Sequence, residues 1–598
     1  MPHINASQAQ TNYDVIVVGS GAAGGQSVYT LAMEGVRVLM LEAGRNYDPS
    51  TETPMFNTPE QAPLRETPTP DKPRGYFDAT VDGGWEVPGE PYTNATEEKF
   101  QWWRSRMLGG RTNHWGRISL RNGPYDFKPY SRDGLGFDWP ITYDDVAPYY
   151  DKVESLIGVY GANDGIENCP HSSDGVLLRP PKARAAELLF HRTAKELGFP
   201  VIPQHRAVLS ERMNSRDIPP RLHPNNPKAA RILAAEMDRR AACFWATPCD
   251  RGCSIKANYQ SPTVHLPPAL ATGNLDIITN AMVRSVETDN TGRATGVRFI
   301  EKTAGRDYTV KARVIVLAAS SMESVRILLN SRSPRHSHGL GNSSGLLGKY
   351  IMDSVGTNLA GQVPALENLP PQNEDGAGHG HAYAPWSRYK EQAEGKLDFP
   401  RGYYIGTRVS RNMPNVRTFN FLEGTTQGAY GRRLKEEARR YYGSFVAYSG
   451  RGEMIPNENC FVDLDPTVKD RWGDPVLRFH WKWSDYEYKQ AAHMQQTFAD
   501  LITGMGGTCL GRPIDPTGKK AISVGGQIVH EVGGARMGSD PLKSVTNKYS
   551  QCWDSPNVFI TDGATFCSNS HKNPTLTIMA LAWRACDHMM DELKRQNL

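Results

Sequence analysis

The chain contains no apolar run of the roughly 18 residues that a membrane-spanning helix needs, although 39% of its 598 residues are hydrophobic. Its first 12 residues also lack the basic start and apolar centre of a secretory signal peptide. We therefore expect a protein that does not itself span a membrane and that stays in the cytoplasm. A chain of this length and apolar content can bury a large core and form more than one domain.

An excess of charge of one sign is missing as well. The 68 lysine and arginine residues nearly balance the 64 aspartate and glutamate residues, which leaves a formal net charge of +4. So small a charge gives no reason to expect nucleic acid or an anionic membrane as the partner. The expected ligand is a small molecule.

Paired cysteines are also missing, because the 9 cysteines are odd in number and dispersed, unlike a disulfide framework. Only Cys243, Cys249 and Cys253 cluster, with 5 and 3 residues between them. Such thiolates can converge only on a loop, and soft sulfur ligands select iron-sulfur clusters or zinc. Three thiolates leave zinc one ligand short, which His265 would supply. Three buried thiols without a metal are the third interpretation.

A dinucleotide-binding fingerprint opens the part of the sequence that carries function. Residues 13–18 form a short buried strand that leads into Gly19, Gly21 and Gly24 and then into a helix. A second apolar run ends at Glu42. The glycines let the backbone approach a pyrophosphate at the helix N-terminus, and the acid accepts the ribose hydroxyls. Glu42 would repel a 2′-phosphate, but the motif does not decide between FAD and NAD.

Further pieces of the same sheet are scattered along the chain. Residues 314–320 read as a buried strand that ends in small residues, and residues 557–563 repeat this pattern near the C-terminus. A sheet assembled from such distant segments predicts a domain that is interrupted by other parts of the chain.

A histidine beside a glycine-rich turn is the candidate catalytic group. His530 precedes Gly533 and Gly534, and 43 positions later (573 minus 530) come Asn573 and Pro574. A neutral imidazole, with a reference pKa of roughly 6.5, takes up an alcohol proton at neutral pH. Asn573 as N-cap and Pro574 as first helical residue predict a helix over 575–586. From these residues alone, the alternative interpretation is a structural histidine whose hydrogen bonds are satisfied within the core.

Together these segments resemble the glucose-methanol-choline (GMC) oxidoreductase family. The likeness spans nearly the whole chain in the expected order. It rests on residues 19–42, 109–116, 314–320, 342–348 with Met352 and Asp353, and the His530 and Asn573 segments. The resemblance implies FAD rather than NAD as the cofactor. It also implies that His530 is the catalytic base beside the flavin and that Asn573 is its partner.

The fold class implied is α/β (α+β): a Rossmann-like FAD-binding domain with an inserted substrate-binding domain built on an antiparallel sheet. The expected FAD-binding domain comprises residues 1–160, 241–355 and 525–598, and the expected substrate-binding domain comprises residues 161–240 and 356–524. Within the first, residues 49–100 form a proline-rich, lid-like excursion, and residues 241–262 form the cysteine segment.

The residues expected to bind FAD lie in the glycine turn, in the block after Leu108, at strand ends and at the start of the last helix. They are Gly19, Gly21, Ala22, Gly24, Glu42, Gly109, Gly110, Asn113, His114, Val283, Asp562, Gly563, Asn573, Pro574 and Thr575. The positive end of that helix would stabilise an anionic reduced flavin. His114 matches a position at which some relatives attach FAD covalently; the alternative is that it packs on the flavin without a bond.

Within the family, the chain is most similar to bacterial sugar dehydrogenases, including the catalytic subunits of glucoside 3-dehydrogenases. The block from Gly109 to Trp115 and the cysteine segment carry this likeness. The cysteine segment resembles one that ligates a three-iron (3Fe-4S) cluster in some of these enzymes. It departs from the pattern because one gap is a residue longer and because Ala242 stands where some relatives have a cysteine.

The resemblance therefore implies oxidation of a secondary hydroxyl of a sugar or glycoside, at carbon 3 of a pyranoside, with electrons leaving through the cysteine segment. The alternatives are a sugar oxidase that uses oxygen, a gluconate or glucose dehydrogenase of the same family, and a non-catalytic flavin scaffold for electron transfer. Such subunits often work with a small partner that carries an export signal and with a cytochrome. Periplasmic delivery with that partner is thus the alternative to the cytoplasm.

Overall fold

The structure, a computed structural model, describes residues 3–598 apart from 10–12, 54–60, 62, 68, 70–81, 214, 217, 220, 224–225, 246–248, 250–251, 370–380, 387–390, 393, 410–427 and 512–513. The described helices are α1 (Ala22–Met33), α2 (Pro49–Glu52), α3 (Pro124–Phe127), α4 (Pro129–Asp133), α5 (Tyr143–Ile157), α6 (Ala185–Glu196), α7 (Pro227–Asp238), α8 (Ser261–Val264), α9 (Leu266–Ala271), α10 (Ser321–Asn330), α11 (Gly431–Tyr441), α12 (Asp485–Gly504) and α13 (Thr575–Lys594).

The described strands are β1 (Tyr13–Val18), β2 (Val38–Leu41), β3 (Gly83–Gly84), β4 (Thr93–Asn94), β5 (Arg104–Ser105), β6 (Ile202–Pro203), β7 (Leu275–Ile278), β8 (Ala281–Thr288), β9 (Ala294–Glu301), β10 (Arg306–Leu317), β11 (Val355–Gln362), β12 (Ala382–Trp386), β13 (Tyr403–Val409), β14 (Phe445–Gly452), β15 (Phe461–Lys469), β16 (Pro475–His480), β17 (Thr508–Leu510) and β18 (Val558–Ile560). No helix among the described residues is both long enough and apolar enough to cross a membrane.

A seven-stranded sheet forms the first part of the molecule, in the order β7-β2-β1-β10-β9-β8, with β18 also paired to β10. Strands β7, β2, β1 and β18 and the second half of β10 run parallel. The first half of β10 continues into an antiparallel meander with β9 and β8. Strand β2 is apolar along its length and β1 is apolar except for Asp14, because α1 packs on both strands.

The second part is a six-stranded antiparallel sheet in the order β17-β11-β14-β13-β12-β6. One face packs on α12, and glycines allow the close approach: a Cβ on Gly450 would lie 2.3 Å from the Met494 sulfur. Side chains alternate across a strand. Tyr403 therefore contacts His493 of α12, whereas its neighbour Tyr404 faces the other side, toward the parallel sheet.

The predicted fold class is confirmed, because a Rossmann-like parallel sheet and a separate antiparallel sheet are both present. The predicted strands over 13–18, 314–320 and 557–563 correspond to β1, the end of β10 and β18. The last helix is longer than predicted, since nothing after residue 586 breaks it. The domain boundaries stay a prediction. Much of the predicted excursion over 49–100 lies outside the described residues.

Candidate active site

A cavity of about 520 Å³ lies where the carboxyl ends of β1, β2 and β10 meet strands β13 and β14. Ligands of open α/β sheets bind at this edge, and the volume is typical of small-molecule sites. Most of the predicted site residues line the cavity: Gly19, Gly21, Ala22, Glu42, Gly110, His114, Val283, His530, Asp562, Gly563, Asn573, Pro574 and Thr575. The fold thus gathers residues that are far apart in the sequence.

The turn between β1 and α1 presents its backbone to the cavity. Gly19 has a φ of +97°, in the left-handed region that favours glycine. A Cβ on Gly24 would lie 1.9 Å from the Gly19 carbonyl oxygen, so α1 packs directly on the turn, whereas a Cβ on Gly21 would meet no protein atom within 4 Å. The turn therefore leaves room for a pyrophosphate at the N-terminus of α1. Gly24 lies behind the turn and makes the close packing possible.

Glu42 lies at the end of β2, where its carboxylate borders the cavity. It accepts hydrogen bonds from the backbone N–H groups of Ser20 (3.0 Å) and Gly44 (2.7 Å) and from the Ser20 hydroxyl. Burial raises the pKa of Glu42, and these hydrogen bonds oppose the rise. Both bonds from Ser20 go to Oε2 and the bond from Gly44 goes to Oε1. Oε1 therefore keeps a further acceptor site, so Glu42 fits a ribose hydroxyl of a dinucleotide.

The block after Leu108 forms one wall of the cavity through a 3-10 helix over Gly110–Asn113. Gly110 and His114 line the cavity, and His114 Nε2 accepts a hydrogen bond from the Trp103 indole (3.1 Å). Gly109 and Asn113 instead lie behind the wall, where the Asn113 amide nitrogen donates to the Leu108 carbonyl (2.9 Å). Gly109 and Asn113 therefore support the wall and do not themselves line the cavity. Attachment of FAD to His114 stays a prediction.

His530 and Asn573 form a hydrogen-bonded pair in the cavity wall, with 2.8 Å between His530 Nε2 and the Asn573 amide nitrogen. On the other side of the ring, His530 Nδ1 lies 2.9 Å from the Ser354 hydroxyl. Because Nε2 accepts from the amide, Nδ1 carries the proton and donates it to Ser354. The Asn573 carbonyl oxygen has no hydrogen-bond partner within the described part of the chain. A basic nitrogen and an unused amide oxygen therefore meet at one point of the cavity.

The predicted N-cap role of Asn573 is wrong. Helix α13 begins at Thr575 with Pro574 as its N-cap, and no side chain caps it. The Asn573 amide is directed to His530 instead. Pro574 and Thr575 nevertheless line the cavity, so the positive end of α13 faces the space where a flavin would lie.

The backbone of His530 is held by a buried carboxylate. Asp353 accepts hydrogen bonds from the N–H groups of His530 (2.9 Å) and Ile528 (3.2 Å). Between them, Val529 has a φ of +66°, a strained conformation for a β-branched residue. Burial, together with the charge of Glu531, raises the pKa of Asp353 to about 7. Asp353 thus fixes the backbone position of His530 although it does not itself line the cavity.

We expect Asp353 to make stability depend on pH. Its pKa of about 7 in the folded protein exceeds its unfolded value of roughly 3.9, so its favourable contribution is complete below pH 4 and is lost as the pH rises through 7. Over this range, ionisation should lower the free energy of unfolding by a few kcal/mol, on the order of 1.4 kcal/mol per unit. Asp353→Asn should therefore lose less stability than the wild type between pH 5 and pH 8. Thermal denaturation at both pH values measures this, and an equal loss in both proteins would contradict it.

The remaining charged groups of the cavity wall are mostly paired. Arg111 and Glu531 form a salt bridge of 2.6 Å. Asp562, at the end of β18, accepts from the Ser324 hydroxyl (2.5 Å) and from the Ala564 N–H (3.0 Å). Burial raises the pKa of Asp562 to about 6. Val283, a predicted FAD-binding residue, lines the cavity from β8. Its carbonyl accepts a hydrogen bond from Arg326 (3.0 Å).

The structure does not gather Cys243, Cys249 and Cys253 into a compact group of ligands among the described residues. Cys249 and Cys253 are buried, and both Cys249 and Cys243 belong to the cluster around Tyr160. Among the described residues, the thiols are not part of any three-residue group whose ligand atoms lie within 4.8 Å of one another. The intervening residues 246–248 and 250–251 lie outside the described residues.

The cysteine segment is tied to the cavity wall by a fully buried arginine. Arg117 donates to the carbonyls of Thr112 (3.1 Å), Asn113 (2.9 Å) and Cys249 (2.5 Å). His265, the suggested fourth ligand of a zinc ion, lies elsewhere: its Nδ1 is 3.1 Å from the Tyr259 hydroxyl and its ring packs on Tyr29. Zinc sites have Zn–S bonds of roughly 2.3 Å, so their sulfurs lie roughly 4 Å apart. The geometry therefore offers no preformed zinc site at these residues.

The sequence interpretation missed several residues of this site. Ser354 orients His530, Trp103 orients His114, and Tyr404 and Arg451 close the cavity from β13 and β14. The alternation of side chains along β13 and β14 could have shown which residues share a face. It could not have shown that this face meets His530.

Comparisons with known proteins agree along nearly the whole chain. Two family models described as GMC oxidoreductase match residues 232–363 and 456–582. The 2-methyl-1,2-propanediol dehydrogenase of Mycolicibacterium austroafricanum is 28% identical over 96% of this chain and 95% of its own length. The fructose dehydrogenase large subunit of Gluconobacter japonicus is also 28% identical, over 97% of this chain and 98% of its own length.

A solved structure supports the fold independently. A formate oxidase from Aspergillus oryzae RIB40 superposes with a TM-score of 0.62 at 13% sequence identity, and the alignment covers 98% of this chain and 99% of the oxidase. At this identity the likeness concerns the fold alone.

Proposed function

Because this chain belongs to the GMC oxidoreductase family, whose members bind FAD, we propose that it oxidises a secondary hydroxyl of a sugar or glycoside, at carbon 3 of a pyranoside, to a ketone. The observation that carries the proposal is the pair of His530 and Asn573 in the wall of the same cavity that the glycine turn borders. A relative that acts on fructose supports a sugar as the substrate.

The residues of the cavity fit FAD. The open space at Gly21 would take the pyrophosphate, Glu42 would hold the adenosine ribose, and the start of α13 would face the flavin. When bound, FAD supplies the acceptor for the hydride that leaves the carbinol carbon.

The protein's own part in the reaction is to remove and hold one proton. Without substrate, His530 Nε2 accepts from the Asn573 amide; when the amide turns to the alcohol oxygen, Nε2 is free to take the proton of the substrate hydroxyl. The charged ring is stabilised because Nδ1–H already donates to Ser354. Asn573 hydrogen-bonds the alcohol oxygen and so directs the carbon–hydrogen bond toward the flavin. The substrate loses this proton and one hydride, which together convert the alcohol to a ketone.

Anaerobic mixing with a panel of pyranosides tests the function. At least one sugar should bleach the flavin absorbance, and its product should carry a ketone at carbon 3 by NMR. If no sugar reduces the flavin, a non-catalytic scaffold becomes the better interpretation. Stoichiometric peroxide during turnover in air would instead favour a sugar oxidase, and oxidation at another carbon would favour a gluconate or glucose dehydrogenase.

We further propose that electrons leave through an iron-sulfur cluster, of the 3Fe-4S type by resemblance, held by Cys243, Cys249 and Cys253, and pass to a cytochrome. Separate irons of a cluster bind separate thiolates, so the three sulfurs need not share one point. The hydrogen bonds of Arg117 to the Cys249 and Asn113 carbonyls, which join the cysteine segment to the cavity wall, support this route. Since the Gluconobacter japonicus relative is a large subunit, we also propose a small partner subunit. The proposed location is the cytoplasm, or the periplasm if that partner carries an export signal.

Metal analysis of protein prepared without oxygen tests the cluster. We expect iron and acid-labile sulfide in stoichiometric amounts, both lost in Cys249→Ser. The exposed Cys509 provides the matched control, and Cys509→Ser should keep both. Stoichiometric zinc, or no metal, would contradict the assignment.

A further inference from the structure

The cationic side chains that line the cavity fall into two groups. At the flavin side, each of three arginines is paired with a carboxylate: Arg106 with Glu90 at 2.6 Å, Arg111 with Glu531 at 2.6 Å and Arg326 with Glu323 at 2.8 Å. Arg104 donates to the backbone carbonyls of Glu90 and Trp85. The charges on that side therefore serve the protein's own structure.

Arg451 on β14 differs from these arginines. Among the described residues, its guanidinium donates only to the carbonyl of its neighbour Gly450 (2.7 Å), and no carboxylate pairs with it. It is half-buried and lines the cavity. A half-buried guanidinium without a counterion loses hydration without the gain of an ion pair. An oxyanion held by two parallel hydrogen bonds would compensate for the lost hydration of the guanidinium.

The position of Arg451 is close to the reacting group. In the register of the antiparallel sheet, Arg451 lies opposite Tyr404. Burial raises the pKa of Tyr404, and the charge of Arg451 and a hydrogen bond with Asn573 oppose this rise. All three residues line the same cavity as His530. A substrate hydroxyl on His530 and Asn573 would therefore leave the rest of the sugar beside Arg451.

We propose that Arg451 binds an oxyanion on the substrate, so that the sugar oxidised by this protein is an acidic one that carries a carboxylate or a phosphate. This inference rests on the proposed function and narrows its substrate class. Arg451 is then a specificity residue, because it touches the part of the substrate that does not react. It should contribute equally in the ground state and the transition state, and so act mainly on KM.

Flavin reduction in anaerobic stopped flow tests the proposal with the FAD-loaded protein. The probes are glucuronate, glucose 6-phosphate and uncharged methyl glucoside, which separate a carboxylate, a phosphate and a neutral sugar. We expect one of the two anions to be oxidised at least about 10-fold more efficiently than the neutral sugar, given the strength of a charge-assisted hydrogen bond. Equal or better oxidation of the neutral sugar would overturn the inference and leave the proposed function intact.

Two variants test the residue itself. Arg451→Met should lower kcat/KM for the preferred anion by about 100-fold, largely through KM, and leave the neutral sugar within about threefold. Arg451→Lys keeps the charge but not the planar fork, so its kcat/KM for the anion should lie between those of the wild type and Arg451→Met. Arg433 on the exposed helix α11 offers a control, because Arg433→Met removes a cation that does not line the cavity.

The outcomes are distinguishable. Equal losses for anionic and neutral sugars in Arg451→Met would mean that Arg451 acts on structure, and would overturn the inference. A structural loss of this kind would also lower the FAD content of Arg451→Met, and Arg451→Lys would not show the partial rescue that is specific to the anion. If none of the three sugars, nor any of the wider panel, reduces the flavin of the wild type, the proposed function itself fails and the inference with it.

Discussion

His530→Ala is expected to slow flavin reduction by sugar by roughly 100-fold or more, the usual contribution of a positioned general base, while FAD stays bound. The reason is geometric. His530 Nε2 is the basic nitrogen at the cavity wall, and Nδ1 is already oriented by Ser354. Stopped-flow bleaching of the flavin at saturating sugar measures the rate, and the absorbance of the purified variant reports the bound FAD. The assignment is falsified if the variant reduces its flavin at nearly the wild-type rate.

Asn573→Ala should also slow the reaction, to a smaller degree. Both side chains act on one alcohol oxygen and hydrogen-bond each other at 2.8 Å. Their effects should therefore not be independent, and the double variant should lose less than the product of the two single losses. Multiplicative losses would show that the two residues act separately.

Gly21→Leu is expected to abolish FAD loading without unfolding the protein. A side chain at this position meets no protein atom near its Cβ, so it would extend into the space for the pyrophosphate. Gly24→Ala provides the contrast, because its Cβ would lie 1.9 Å from the Gly19 carbonyl oxygen. That variant should lose thermal stability as well as FAD.

The ratio of absorbance at 450 nm to that at 280 nm and the melting temperature of the apoprotein together separate these effects. A Gly21→Leu protein that carries a full complement of FAD would mean that the cofactor binds elsewhere. A Gly24→Ala protein as stable as the wild type would contradict the close packing of α1 on the turn.

Local patterns made part of this structure predictable. Strand β1, the glycine turn and Glu42 follow from apolar runs and glycine spacing, which depend on neighbours in sequence. The pairing of His530 with Asn573 followed from family resemblance, since nothing local brings two residues 43 positions apart into contact.

Other features depend on contacts that no local pattern encodes. Gly109 and Asn113 have the same sequence context as Gly110 and His114, yet the turn of a 3-10 helix directs the first two away from the cavity. Asn573 has a residue type that caps helices, but a hydrogen bond to His530 takes its amide. Arg451 and Ser354 enter the site only because the antiparallel sheet packs against the parallel one.

The order of strands in the parallel sheet has a consequence for how the protein is made. Strand β1 pairs with β10, and Val18 and Arg306, where β10 begins, are 288 positions apart (306 minus 18). At roughly 5–20 residues per second, a ribosome needs about a quarter of a minute to one minute to cover that distance. During this time the apolar edge of the early strands has no final neighbour, which makes the nascent chain dependent on chaperones. Flavin acquisition should accordingly follow release from the ribosome rather than accompany synthesis.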